Sequence, residues 1–272
     1  MKLGIFAKTF EGSDPATVMQ AVKAAGFSTV QYNMACSGLA SMPDEISSET
    51  ARAVSQAAQD SGVIIAAVSA TYNMIHPDVT VRKLGLQRLE VLAAGCAAMG
   101  TSLLTLCTGT RHATDQWQWH ADNESPEAWR DLVAEMAKAL TIAEHYNVDL
   151  GIEPELANVV NSAAKAKMLI DEMKSSRLKV VFDAANLFES VSLPEQKSII
   201  SSSVDMLAGH IAMAHAKDRK LDGSFATAGQ GCLDYPHYIS CLKSIGFNGA
   251  LVTHGLAAGD AERVAKFLQS HI

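Results

Sequence analysis

Short apolar runs alternate with longer stretches of helical period from one end of the chain to the other, eight times over, and this alternation constrains the fold more than any single motif. Residues 3–7 read as a strand. Ser13-Asp14-Pro15 then supplies an N-cap followed by Pro in the first helical turn, and the helix runs to about Ala25, where Gly26 ends it. Residues 29–32 are extended and 43–60 are helical, with Gly62 as the stop; residues 63–69 are then β-branched and apolar, as a buried parallel strand requires. A helix over 79–99, stopped by Gly100, leads into a strand at 103–107. After a long polar loop, Ser125-Pro126-Glu127 opens a helix to about His145. Further strands fall at 149–153, 179–182, 210–214 and 250–253, with helices near 162–173, 194–207, 235–244 and 260–269.

Eight such units without a Pro/Gly/Ser-rich linker predict one closed (β/α)8 barrel over residues 1–272 rather than an open doubly wound sheet. No GxGxxG follows the first strand, which weakens a dinucleotide-binding alternative. A composition of 48% hydrophobic and 19% charged residues is enough for a large core and excludes a disordered polar chain. The 22 Lys and Arg against 29 Asp and Glu give a net charge of −7, which sets the overall field against nucleic acid as a general partner. Met1 runs into an apolar strand with no positive n-region, and no stretch reaches about 18 uninterrupted apolar residues. The expectation is a cytoplasmic protein with no membrane partner. Five scattered cysteines, never spaced CxxC, argue against a disulfide framework and against a thiolate metal site.

A barrel of this kind places its chemistry in the loops after the strands, so polar residues at strand ends become candidates. The fifth strand ends Gly151-Ile152-Glu153-Pro154-Glu155 and the sixth Val181-Phe182-Asp183-Ala184-Ala185-Asn186. The seventh carries Ala214-His215-Ala216-Lys217-Asp218, and the eighth ends Val252-Thr253-His254-Gly255. Four adjacent strands thus deliver Glu153, Asp183, His215 and His254 to one rim. Carboxylates and imidazoles in that combination suit a divalent ion such as Mn, Zn, Co, Fe or Mg.

Glu153 after strand five, Asp183 in a D-x-x-[HN] setting that closes on Asn186, and the His-x-Lys-Asp of His215 to Asp218 resemble the xylose isomerase-like TIM-barrel superfamily. That superfamily holds sugar isomerases, sugar and sugar-phosphate epimerases, and endonuclease IV. Gly26-Phe27-Ser28-Thr29-Val30-Gln31 at strand two and Gly229-Gln230-Gly231 before Asp234-Tyr235 match it as well. The resemblance implies a divalent metal held by Glu153, Asp183 and His215. It implies a metal-dependent isomerase or epimerase of a sugar, sugar phosphate or related polyol ketone, working by proton transfer through a metal-stabilised enediolate. Three positions depart from the pattern: His254 stands where a ligating Glu usually ends strand eight, Gln31 where strand two often ends in Glu, and Asn186 where a second His usually follows strand six.

On this reading Glu153 removes the proton and His254, as ligand or as acid/base, returns it on the other face. Arg111 in Cys107-Thr108-Gly109-Thr110-Arg111, Asn158, Asn186, Lys217 and Tyr72 are expected to contact substrate; a loop ion pair is the other account of Arg111. Trp117 and Trp119 sit in one polar loop, suited to stacking on a sugar face or to an oligomer contact. A homo-oligomer is expected from the resemblance. Two other functions fit the same barrel: a non-catalytic sugar-binding protein, favoured by His254 in place of Glu, and an endonuclease IV-like phosphodiesterase. The latter needs three zinc ions and local cations for the phosphate backbone.

Overall fold

The computed structural model describes residues 1–272. Eight parallel strands close into a barrel: β1 (Lys2–Phe6), β2 (Thr29–Tyr32), β3 (Ile64–Ser69), β4 (Leu103–Cys107), β5 (Asp149–Glu153), β6 (Leu178–Asp183), β7 (Ile211–Ala216) and β10 (Ala250–Thr253). The ring shuts where β1 pairs with β10, Leu3 lying opposite Leu251 and Ile5 opposite Thr253. Around it run α1 (Pro15–Ala24), α2 (Ser48–Ser61), α3 (Val79–Met99), α4 (Pro126–Tyr146), α5 (Ala163–Met173), α6 (Leu193–Leu207), α7 (Tyr235–Ser244) and α8 (Ala261–Gln269). No helix is long and apolar enough to cross a membrane.

The local signals act as expected at most boundaries. The Asp14 carboxylate accepts from the Thr17 N–H with Pro15 in the first turn, and Gly62 and Gly100 end α2 and α3 in the left-handed region at φ 66° and 82°. The second helix starts five residues later than its expected onset at Pro43. Ser47 caps it by accepting from the Thr50 N–H, while Asp44 is drawn instead to the Arg88 side chain at 2.8 Å. One element has no counterpart in the sequence reading: β8 (Asp218–Arg219) and β9 (Phe225–Ala226) form a two-residue antiparallel ribbon above the barrel, too short to carry a period.

Strand side chains alternate between the barrel interior and the helix layer, and this two-residue period positions the site. The outward set joins the helices in the main core. Inward-facing Ala67, Leu103, Val181, Met213, Ala250 and Val252 form a second apolar cluster that plugs the barrel. Gly151 completes it by leaving room, since a Cβ there would lie 2.9 Å from the Val181 Cγ2. One step of two residues further along, the inward layer turns polar on every strand but β1, which contributes Phe6.

Candidate functional site

That layer contains Phe6, Gln31, Ser69, Thr105, Glu153, His215 and His254 around a cavity of about 270 Å³, with Thr71, Glu155 and Lys217 one step higher. The Asp183 carboxylate lies in the floor, buried to 1% exposure. A larger groove of about 500 Å³ lies at the other end of α1 and α8, lined by Ala24, Gly26, Ala265 and Lys266, and it gathers no comparable set of ligating groups. The cluster of ligating groups is therefore at the C-terminal ends of the strands, the face where barrels of this type carry their sites.

Glu153, Asp183 and His215 are strand residues and His254 is the first residue beyond β10. The expected 210–214 strand extends to Ala216, which places His215 within β7 rather than after it. Each of the four offers one ligand atom, and these atoms lie within 4.8 Å of one another. Glu153 Oε1 accepts from Asn186 Nδ2 at 2.8 Å and lies 3.0 Å from His215 Nδ1. His254 Nε2 lies 3.4 Å from Asp183 Oδ2, and the two imidazole centroids are 4.5 Å apart. The Asp183 Oδ1 accepts from the Ala185 N–H, which fixes that carboxylate against the backbone.

Gln31 orients His215. Its Nε2 donates to Thr105 Oγ1 at 3.1 Å, which turns its Oε1 toward His215 Nε2 at 2.8 Å. A proton held on Nε2 by that carbonyl leaves Nδ1 to face Glu153, the arrangement by which an outer amide or carboxylate sets the tautomer of a ligating histidine. Nitrogen and oxygen donors at this spacing fit a divalent ion of hard or borderline character; there is no thiolate among them.

The charges are mutually compensated. Burial alone would raise both carboxylates, but the His215 charge and hydrogen bond bring Glu153 below the ordinary value; the Lys217 charge and the His254 hydrogen bond take Asp183 well below it. Burial works against a charged His215, yet Glu153 and Asp183 outweigh it and hold its pKa above the usual imidazole value. His254 goes the other way: burial and the neighbouring His215 charge lower it and keep it neutral more readily. Lys217, buried, donates to Asn186 Oδ1 at 2.7 Å and sits 3.5 Å from Asp183 Oδ2. Its Nζ also lies 3.6 Å from the centre of the Phe225 ring, carried by β9.

Asp218 organises that ribbon. Its carboxylate accepts from the N–H groups of Arg219, Gly229, Gly231 and Leu233. Gly231 is required there because any Cβ would collide with the Asp218 carboxylate and the Arg219 carbonyl. Asn186 and Lys217 join the central cluster and line the cavity, and Trp117 reaches it while Trp119 does not.

Three of the expected contacts lie elsewhere. Tyr72 follows the inward Ser69 and Thr71 by an odd step, so it faces the helices and donates to Glu135 at 3.3 Å. Arg111 Nη2 pairs with Asp131 Oδ2 at 2.6 Å and Nη1 donates to the Ile75 carbonyl, the loop ion pair. Asn158 is fully buried; its Oδ1 accepts from the Gly109 N–H at 2.7 Å and ties the loop after β5 to the loop after β4. Arg111→Ala is therefore expected to lower stability by about 1–2 kcal/mol in thermal unfolding while leaving the metal content unchanged. Loss of bound ion in that variant would return Arg111 to the site.

Glu155 went unselected in the sequence although it stands beside Glu153. It lines the cavity, and burial followed by the Glu153 charge pushes its carboxyl up to about 7. The inward period from Glu153 points to it; the flanking Pro154 hides that period by resembling a loop start.

Residues 19–271 match the family model described as xylose isomerase-like TIM barrel. No curated protein matches the chain. Among solved structures it is similar to D-psicose 3-epimerase of Clostridium cellulolyticum H10 solved with D-tagatose, at 16% identity and TM-score 0.76, covering 100% of this chain and 99% of that one. It is similar to 3-keto-D-glucoside 4-epimerase of E. coli at 15% identity and TM-score 0.77, covering 99% of each chain. A third is the IolI protein with a bound zinc atom, at 17% identity and TM-score 0.73, covering 100% of this chain and 99% of that one.

Proposed function

The chain belongs to the xylose isomerase-like TIM barrel family, and from that premise we propose that it is a divalent-metal-dependent epimerase or isomerase of a polyhydroxy ketone. The observation that carries this reading is the convergence of Glu153, Asp183, His215 and His254 within 4.8 Å at the mouth of the barrel. The activities of two similar structures, D-psicose 3-epimerase and 3-keto-D-glucoside 4-epimerase, support the same reaction class.

Glu153, Asp183 and His215 would hold the ion, and His254 either completes the set or serves as the second acid/base. When bound, the ion supplies positive charge beside a carbonyl oxygen and makes the neighbouring C–H more acidic. The remaining work falls to the side chains. Asn186 Nδ2 holds Glu153 Oε1, which leaves Oε2 to take the proton from the carbon next to the carbonyl. Lys217, placed by Asn186 and Asp183, adds positive charge next to the developing enediolate. His254 comes from a different strand, just past the end of β10, and in its acid/base role it exchanges a proton with the opposite face. Return of the proton by His254 to the same carbon gives epimerisation, and return to the neighbouring carbon gives isomerisation.

The test is exchange of the α-proton of free ketohexoses and ketopentoses into deuterated water, followed by NMR with and without added Mn, Co or Zn. Metal-dependent exchange with at least one ketose is the expected result. Tight binding of a ketose without exchange would move the protein to the sugar-binding alternative. The nuclease alternative finds a single cluster of ligating groups here rather than the sets that three zinc ions demand.

A further inference from the structure

Glu155 is the one carboxylate of the cavity that the protein does not use. Glu153 is engaged by Asn186 and His215, and Asp183 by the Ala185 N–H and His254. Glu155 faces the same space with neither side-chain oxygen hydrogen-bonded to the protein. A carboxylate that stands open at a cavity wall, with no protein donor engaging it, can exchange its solvent for a donor that arrives from outside.

Its backbone is nevertheless held firmly. The Glu155 N–H donates to the Val160 carbonyl at 3.0 Å and its carbonyl accepts from the Asn158 N–H at 2.8 Å, closing a turn. That turn is fastened to the loop after β4: the Val159 N–H donates to the Gly109 carbonyl, the Val160 N–H to Thr108 Oγ1, and the Gly109 N–H to Asn158 Oδ1. The fixed backbone sets the point from which the side chain enters the cavity, and no internal partner competes for its oxygens. The incoming group must exchange hydrogen bonds with a carboxyl, and in a cavity also lined by Ser69, Thr71 and Thr105 a polyol, donor and acceptor at once, fits that description.

We infer that Glu155 is a specificity-determining residue that hydrogen-bonds one substrate hydroxyl remote from the reacting carbons. This rests on the metal-dependent ketose reading for its reaction but not for its binding. The experiment measures α-proton exchange of free ketohexoses and each of their mono-deoxy analogues by the metal-loaded wild type, Glu155→Ala and Glu155→Gln. Binding of a hexitol, which cannot react, is measured by calorimetry on the same three proteins.

Glu155→Ala is expected to retain its metal and to lose about tenfold to a hundredfold in kcat/KM on the intact ketohexose, mostly through KM, with Glu155→Gln recovering part of the loss. One mono-deoxy analogue should be handled alike by wild type and Glu155→Ala, since the hydroxyl that Glu155 reads is already missing from it. Hexitol binding should weaken at least tenfold in Glu155→Ala. Equal losses on every analogue, or no loss on any, would overturn the assignment while leaving the epimerase reading intact. A wild type that exchanges no ketose but binds the hexitol through Glu155 sustains the assignment and defeats that reading. A wild type that does neither overturns both.

Discussion

Asp183→Asn is expected to bind divalent ion more than about 100-fold more weakly than the wild type, measured as metal content at a fixed free ion concentration. The exchange keeps the size and planarity of the side chain and removes the charge. Asp183 is the most buried member of the cluster and the point to which Lys217 and His254 both converge, at 3.5 and 3.4 Å. Without its charge, the cations around it lose their counter-ion, and an ion of charge two would be added to a site already positive. Gln31→Leu is expected to weaken the same ion about 10–100-fold, the usual range when an outer hydrogen bond to a ligating histidine is removed. That variant leaves all four ligand atoms in place but frees the His215 tautomer that Gln31 and Thr105 set. Full metal content in Asp183→Asn would sink the four-residue site, and the milder Gln31→Leu keeps the test readable if the first variant fails to fold.

The architecture was legible because barrels repeat their signals. Each unit carries its own cap and stop, such as Asp14 with Pro15, Gly62 and Gly100, so one blurred boundary at residues 43–47 did not disturb the count. Glu153, Asp183, His215 and His254 were legible for a related reason: each breaks an apolar strand with an ionisable group at its C-terminal end. What the sequence hid was direction. Tyr72 and Thr71 are adjacent at the end of one strand, yet only the two-residue period separates the one that faces α4 from the one that faces the cavity. Applied from Glu153, the same period would have pointed to Glu155, and applied along β2 to β4 it would have collected Gln31, Ser69 and Thr105. Arg111 and Asn158 were unreadable in another sense. Their partners, Asp131 and the Gly109 N–H, lie 20 and 49 residues away, and only the closed ring brings them together.

Glu153→Gln should reduce α-proton exchange by about 10²–10⁴-fold, the range associated with a positioned general base. The amide preserves an oxygen for His215 and for the ion, so metal content is the internal control: a large loss of exchange at unchanged metal identifies a base, whereas a parallel loss of both identifies only a ligand. His254→Asn separates the second role. If His254 delivers the proton to the opposite face, the variant still exchanges the α-proton of its ketose with solvent through Glu153, but the recovered sugar keeps its original configuration. Two acid/base groups on separate strands, β5 and the end of β10, predict that exchange and inversion fail independently. A His254→Asn enzyme that holds its metal and still forms the epimer at the wild-type rate would remove His254 from proton transfer and leave Glu153 to act with a solvent-borne acid.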